Sequence, residues 1–313
     1  MAGSFSGETK EILSRVLLKP RSQRLAELHA LAAGIGDLDV KEDGSLGLMI
    51  QSENLPAVRR GDFLMRALSG CDLMSSVFTV HGGSPVYTVT LEDHRAAVRL
   101  LQELGFMNRR GVLREEGLPA PEGMLKNEAC RRAFLRGAFL AGGYVSDPEG
   151  AYHWEVVTTS EARAQELAAL LKDWDLPARA TLRKGKNLVY IKSSEAISSV
   201  LSLMGAFQST LQWENARAYR SLQGRVNRQV NCDLANSAKV SQAGENQIRA
   251  IRTIQEKAGL EMLPRPLQDM ARLRLENPDL PLKELGELLD PPVGKSGVNH
   301  RLRKLVQIAE NLS

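Results

Sequence analysis

Seven polar residues close to the C-terminus have types and spacing suited to nucleic-acid recognition. They are Lys295, Ser296, Asn299, His300, Arg301, Arg303 and Lys304. Exposed amide and guanidinium groups can bind base edges in the major groove of DNA, and cations can bind phosphates. We therefore expect Asn299 and His300 to read bases, and Arg301, Arg303 and Lys304 to contact phosphates or guanine edges.

A helix must present these side chains. The apolar residues Val298, Leu302, Leu305 and Ala309 recur with the helical period, which predicts that the polar set faces away from a buried stripe. Proline-marked breaks near residues 277–281 and 290–294 divide the C-terminal region. The predicted helices span residues 265–276, 282–289 and 296–310.

A short helix, a turn and a polar-faced helix are typical of a helix-turn-helix. Gly286 would allow the two helices to pack closely, but it lies 12 residues before Val298, so the turn is longer than usual. The arrangement also resembles the promoter-element-reading module of sigma factors. A helical module for protein interaction is the alternative.

Residues 212–230 predict a second basic helix. Trp213 and four arginines fall on one side, and Tyr219, Leu222, Val226 and Val230 cluster on the other, which we expect to pack. The arginines are Arg217, Arg220, Arg225 and Arg228. They are spaced to meet successive DNA phosphates; a solvated face or intramolecular ion pairs are the alternatives.

The first two thirds of the chain contain an internal repeat with a spacing near 103 residues. LSGCDL at 68–73 aligns with LKDWDL at 171–176, residues 87–92 align with 190–195, and Leu104-Gly105 recurs as Met204-Gly205. Each half predicts helix, hairpin, helix, hairpin, helix. The first half includes hairpins around Asp43-Gly44 and around the turn at residues 82–85. The predicted fold class is therefore α+β, with about four strands in each repeat.

The first helix of each repeat resembles the LAGLIDADG motif of homing endonucleases. The matching segments are LHALAAGIG at 28–36 and LRGAFLAGG at 135–143. In that family the two motif helices pack against each other through small residues. The resemblance implies this interface for Ala30, Ala33, Gly34, Gly36, Gly137, Ala141 and Gly143.

The motif departs from the family at its catalytic positions. Active members carry a carboxylate just before the last glycine of each motif, because divalent cations at the scissile phosphate need oxygen ligands. Here these positions are Ile35 and Gly142. We expect no catalytic residues, no metal and no cofactor, and the chain is not predicted to be an enzyme. A metal-dependent endonuclease with displaced acids, Asp37 and Asp147, is a further alternative.

Over nearly its whole length the chain resembles the WhiA regulators. The resemblance is clearest in residues 136–143, in RVNRQVNC at 225–232 with Ala235-Asn236, and in residues 282–305. It implies a DNA-binding transcription regulator of cell division or sporulation genes that acts at promoters on double-stranded DNA. A docking role for a sigma factor or another co-regulator is the alternative.

These features predict three regions. A LAGLIDADG-like domain spans residues 1–208, with repeats of about 1–118 and 119–208; a basic linker helix spans 209–235, and a helix-turn-helix domain spans 236–313.

The formal net charge of +4 is compatible with a nucleic-acid partner. No apolar run is long enough to cross a membrane, so a cytoplasmic, nucleoid-associated protein is expected. Both motif helices lie in one chain, which predicts a monomer.

Overall fold

The computed structural model describes residues 3–79 and 83–312, apart from the side chains of Asn236 and Val240. Residues 80–82, part of the second predicted hairpin and its turn, lie outside the described residues. The chain forms two compact units, Met1–Arg220 and Ser221–Ser313. Among the described residues, no helix is long and apolar enough to span a membrane.

The first unit contains the predicted repeat. After α1 (Phe5–Ser14), which the sequence analysis did not predict, two copies of helix, hairpin, helix, hairpin, helix follow. The first copy comprises α2 (Arg21–Ile35), β1 (Gly36–Val40), β2 (Leu46–Ser52), α3 (Leu55–Ser69), β3 (Met74–Thr79), β4 (Pro85–Leu91) and α4 (His94–Leu104). The second comprises α5 (Glu128–Gly142), β5 (Gly143–Val145), β6 (Trp154–Thr158), α6 (Glu161–Lys172), β7 (Arg179–Arg183), β8 (Lys186–Ile191) and α7 (Ser194–Met204).

The two sheets have the same antiparallel topology, which confirms the α+β prediction. Their strand orders are β1-β2-β4-β3 and β5-β6-β8-β7. In each sheet the second strand pairs with both the first and the fourth, so two hairpins share one four-stranded sheet. The repeat seen in the sequence is thus a repeat of topology.

Short polar residues begin the helices at equivalent places in both repeats. The Asn54 side chain accepts a hydrogen bond from the Ala57 amide at the start of α3, and Ser160 does the same for α6. Such caps satisfy amide groups that have no partner within the helix. At the other end, Gly105 and Gly205 end α4 and α7 with φ of 79° and 91°, a conformation that glycine adopts without strain.

Each repeat has its own apolar core, and the second core extends over α1 and the start of α8 (Phe207–Lys257). Trp154 and Trp213 are fully buried in it. The Trp213 indole donates a hydrogen bond to the Ser194 carbonyl and lies against Phe5 and Tyr152. The beginning of α8 is therefore fixed to the first unit.

The second unit has a separate helical core. After the second half of α8 and a short 3-10 turn (Leu260–Met262), it contains α9 (Arg265–Glu276), α10 (Leu282–Glu287) and α11 (Lys295–Leu312). Ile251 and Ile254 of α8 are buried with Met270, Leu285 and Leu302. These bounds agree with the three predicted helices, but α8 extends far beyond the predicted 212–230.

Candidate nucleic-acid interface

The short helix α10 and the longer α11 pack closely at Gly286. A Cβ atom at this position would lie 1.9 Å from the Val293 carbonyl oxygen and 3.1 Å from a methyl carbon of Val298. The Gly286 carbonyl also accepts a hydrogen bond from the Val293 amide at 2.9 Å. Even a methyl group would separate the two helices, so the glycine fixes the geometry of the helix-turn-helix despite its long turn.

One face of α11 is buried and the opposite face is polar. Val298, Leu302 and Leu305 are fully buried, whereas His300, Arg303 and Lys304 are exposed, and Asn299 and Arg301 are half-buried. Lys295 and Ser296 are exposed at the start of the helix. Among the described residues, the seven polar side chains form no ion pair or hydrogen bond. Four cations are thus available to an external anion.

The predicted packing of the basic helix was wrong. Tyr219, Leu222 and Val226 of α8, which we expected to pack, are 63%, 50% and 53% exposed, and Val230 is 49% exposed. The side that carries Trp213 packs instead. This side packs because it contacts residues that are distant in sequence, namely the aromatic cluster around Tyr152 and the loop at residues 149–150.

Arg217 and Arg220 on that side form intramolecular contacts. Arg217 lies 2.7 Å from a Glu214 carboxylate oxygen and 3.3 Å from one of Glu195. Arg220 stacks over the Tyr152 ring and donates hydrogen bonds to the carbonyls of residues 149 and 150. These two arginines fix the start of α8 within the first unit.

Arg225 and Arg228, one and two turns further along α8, do not form such intramolecular contacts with the described residues. Both are exposed, and neither forms an ion pair with another described residue. They belong to the same compact unit as α11. Of the four predicted arginines, these two retain free cationic groups.

The motif helices α2 and α5 pack through the small residues that the LAGLIDADG resemblance implied. A Cβ atom on Gly34 would lie 2.7 Å from that of Ala141, and one on Gly137 would lie 3.1 Å from that of Ala30 and 2.2 Å from the Glu27 carbonyl oxygen. Each pair joins equivalent positions of the two motifs, as expected for a pseudo-twofold arrangement. The Ala33 carbonyl accepts a hydrogen bond from Thr159 of the second repeat.

Gly36 and Gly143 differ from the expectation, because the atoms nearest to them belong to their own repeat and not to the opposite motif helix. A Cβ atom on Gly36 would lie 2.5 Å from the Ala32 carbonyl oxygen, and one on Gly143 would lie 2.4 Å from that of Phe139. Both glycines instead permit the sharp change from motif helix to first strand within their own repeat.

The two positions at which active nucleases carry a carboxylate are occupied here by a packed apolar side chain and by a glycine that lies against the backbone of a strand. Ile35 packs against both repeat cores, and a Cβ atom on Gly142 would lie 2.4 Å from the Val157 carbonyl oxygen. Of the nearby acids, Asp37 accepts a hydrogen bond from its neighbour's amide, and Asp147 caps the β5–β6 turn through the Glu149 amide. In the described part of the chain, no group of three or more histidine, cysteine or acidic side chains could hold a metal.

His29, within the first motif, is buried and structural. One ring nitrogen lies 2.8 Å from the Leu104 carbonyl oxygen, and the ring stacks on Phe106. Burial lowers the pKa of His29 to about 4, so the ring is neutral at physiological pH. With Nδ1 protonated, it donates a hydrogen bond that joins α2 to the end of α4.

A buried ion cluster next to the motif interface was not predicted from the sequence. Glu27 is fully buried and binds two guanidinium groups, with Arg60 Nε at 2.6 Å and Arg136 at 2.7 Å. Arg136 also donates to the Met204 carbonyl, and Arg60 to that of Ser14. The cluster joins both repeats and α1. The only signal in the sequence was Arg136 within the otherwise apolar motif segment at 135–143.

The outer faces of the two sheets differ in charge. The strands of the first sheet contain no lysine or arginine but two acids, Asp37 and Asp39. The strands of the second contain the exposed cations Arg179, Arg183 and Lys186. The registers Arg179↔Tyr190 and Arg183↔Lys186 place these residues on the face opposite Val189, which is in the core. Only the second sheet therefore offers cations to an anionic partner.

The motif interface can be tested at Gly137. Replacing Gly137 with alanine should lower the free energy of unfolding by about 1–3 kcal/mol, because the methyl group meets the α2 backbone. The matched control is Gly224→Ala on α8, where the nearest atom to the new methyl is 3.6 Å away. That change should be neutral or stabilising by up to ~1 kcal/mol. Denaturant unfolding followed by circular dichroism measures both; equal effects would contradict the interface.

The fold and these surfaces define a class: a LAGLIDADG-like α+β domain without the motif acids, followed by a helix-turn-helix. Comparison with known sequences agrees with this class. The family description "WhiA LAGLIDADG-like domain" matches residues 131–223, and "WhiA C-terminal HTH domain" matches residues 226–309.

The chain belongs to the WhiA family. It is 42% identical to the probable cell division protein WhiA of Heliobacterium modesticaldum, over 99% of this chain and 97% of that protein. The corresponding protein of Desulforamulus reducens is 40% identical, over 99% and 96% of the two chains. The crystal structure of full-length WhiA from Thermotoga maritima is similar over 99% of both chains, with 28% identity and a TM-score of 0.60.

Proposed function

We propose that the chain is a sequence-specific DNA-binding transcription regulator of genes for cell division or sporulation, and that it has no nuclease activity. The observation that carries the proposal is the polar face of α11, whose cations and amide have no partner among the described residues. A helix-turn-helix that presents such a face can place it in the major groove. The protein would act at promoters in the nucleoid.

The regulator would act as a monomer in solution, because α2 and α5 already form the LAGLIDADG-type interface within one chain. The helix-turn-helix supplies sequence readout, and Arg225 and Arg228 add phosphate contacts. The names of the relatives, which are cell division proteins, support the choice of target genes.

The loss of nuclease activity is inferred from the two acid positions. Ile35 has no ligand for a metal, and an aspartate at Gly142 would collide with the backbone of β6. We therefore expect plasmid DNA to stay intact with the protein in the presence of Mg²⁺ or Mn²⁺. Cleavage that is abolished by Asp37→Ala or Asp147→Ala would instead support an endonuclease with displaced acids.

Selection of bound sequences from random duplex DNA, with the full chain at about 150 mM salt, tests the proposal. An enriched motif is the expected result. Absence of any enrichment would contradict specific readout.

Arg225 and Arg228 should contribute to the salt dependence of DNA binding. Each phosphate contact adds about 0.9 to the slope of log affinity against log salt, so Arg225→Gln with Arg228→Gln should reduce it by about 1.8. The control pair Arg217→Gln and Arg220→Gln should leave the slope unchanged, because those guanidiniums are held intramolecularly. Fluorescence anisotropy over a series of salt concentrations measures the slopes. The opposite ranking of the two pairs would refute this assignment.

A second candidate function is docking of a sigma factor or another co-regulator. The first sheet favours it, since its strands carry acids and apolar side chains but no cation. Met74 and Val77 of β3 are 61% and 62% exposed on that sheet. The two functions are compatible within one regulator, with DNA bound by the second unit.

A further inference from the structure

A cavity of about 320 Å³ lies between the two repeats of the first unit. Its walls come from the end of α2, from β1 and β2, from the end of α4, from the connecting segment at residues 113–117 and from the start of α6. Cavities of this size hold small molecules in many proteins. DNA binding by α11 would not involve this cavity.

Part of the cavity lining is apolar. It is formed by Leu38, Leu48, Leu101, Phe106 and Leu113. Leu48 and Leu101 belong to the core of the first repeat, so this wall is fixed by the fold. A flat or branched hydrocarbon body would fit against it.

Two arginines, Arg114 and Arg163, also line the cavity. Arg114 is exposed and donates a hydrogen bond to the Gly105 carbonyl at 3.1 Å. Arg163 is half-buried, and its Nε is fully buried without a hydrogen-bond partner among the described residues. No described carboxylate lies within 4.0 Å of either guanidinium. Buried charges are normally paired, so Arg163 lacks the anion that such a position requires.

Neighbouring charges act on Arg163 in opposite directions. Burial, the largest effect, lowers the pKa of Arg163, the charge of Glu166 raises it, and the charge of Arg114 lowers it. Glu166, the acid that acts on it from one turn further along α6, uses one oxygen to accept a hydrogen bond from the Ala120 amide. The hydroxyl-bearing residues Thr159 and Ser160 also line the cavity.

We propose that this cavity binds a small organic monoanion, with its carboxylate or phosphodiester group at Arg163 and Arg114 and its apolar body against the apolar part of the lining. Three exposed acids, Asp37, Glu115 and Glu116, also line the cavity and oppose a ligand of higher charge. The ligand would join the end of the first motif helix to the start of α6. The site would give the regulator an effector input that does not depend on DNA.

The test uses the full chain without DNA and two nearly isosteric probes, 2-naphthoate and 2-naphthamide. Isothermal titration should show saturable binding of the acid at least about tenfold tighter than that of the amide, since a hydrogen bond to a charged group contributes this much. Arg163→Gln should remove this preference. Arg179→Gln, an exposed arginine on the second sheet, should leave it unchanged.

Arg114→Gln is the second variant, because its side chain is exposed and its replacement removes only one exposed hydrogen bond within the protein. It should weaken naphthoate binding about threefold to tenfold. Equal affinity for acid and amide, full retention of naphthoate binding in both variants, or no saturable binding of either probe would overturn the proposal. Because no DNA is present, these outcomes are independent of whether the chain reads promoters.

Discussion

Replacing Asn299 and Arg303 together with alanine should reduce the affinity for a selected DNA site about a hundredfold, because each good base contact contributes ~1–3 kcal/mol. Both side chains lie on the polar side of α11, and neither forms a hydrogen bond or an ion pair with another described residue. The effect should therefore appear in DNA binding and not in folding. Fluorescence anisotropy with the selected site and a scrambled site measures it.

The matched control for this pair is Arg272→Ala. Arg272 is an exposed arginine of α9, so its replacement removes the same charge from the same unit but from a different helix. We expect less than about a threefold loss. If the double variant keeps full affinity, or if Arg272→Ala costs as much, then α11 does not read the bases.

The second large effect is expected at Glu27. Exchanging Glu27 for glutamine should lower the free energy of unfolding of the first unit by about 3–5 kcal/mol. The change leaves the guanidiniums of Arg60 and Arg136 buried, at 2% and 4% exposure, without their shared anion. Since all three tryptophans lie before residue 221, denaturant unfolding followed by tryptophan fluorescence reports this unit alone.

Glu11→Gln provides the control with the same chemical change. Glu11 also binds two arginines, Arg15 and Arg59, but at the surface. Surface pairs contribute about 0–1 kcal/mol, so this variant should unfold almost like the wild type. Similar losses in the two variants would show that the buried cluster is not a major source of stability.

The repeated architecture could be predicted because its determinants are local. The alternating strands, the caps at Asn54 and Ser160, and the glycines at 105 and 205 each act within a few residues. Because these signals occur twice with one spacing, the order of helices and strands in both repeats could be predicted. The buried stripe of α11 was equally predictable, since Val298 and Leu302 repeat with the helical period.

Features that depend on distant partners could not be predicted in this way. The side of α8 that packs was misassigned because Arg220 and Trp213 meet Tyr152, about sixty residues earlier in the chain. The amphipathic pattern alone favoured the apolar side. Likewise, the sequence around Glu27 does not indicate that two arginines, from α3 and α5, bind its carboxylate.

Photo-cross-linking to DNA tests the central claim most directly. A photo-reactive amino acid replaces His300 on α11 in one variant and Ser76 in the other. Ser76 lies in β3, a strand without a cation. Each full-length variant is irradiated while bound to the selected DNA site. Both positions are exposed. We expect strong cross-linking from position 300 and little from position 76. Cross-linking from position 76 without any from position 300 would contradict readout by the helix-turn-helix.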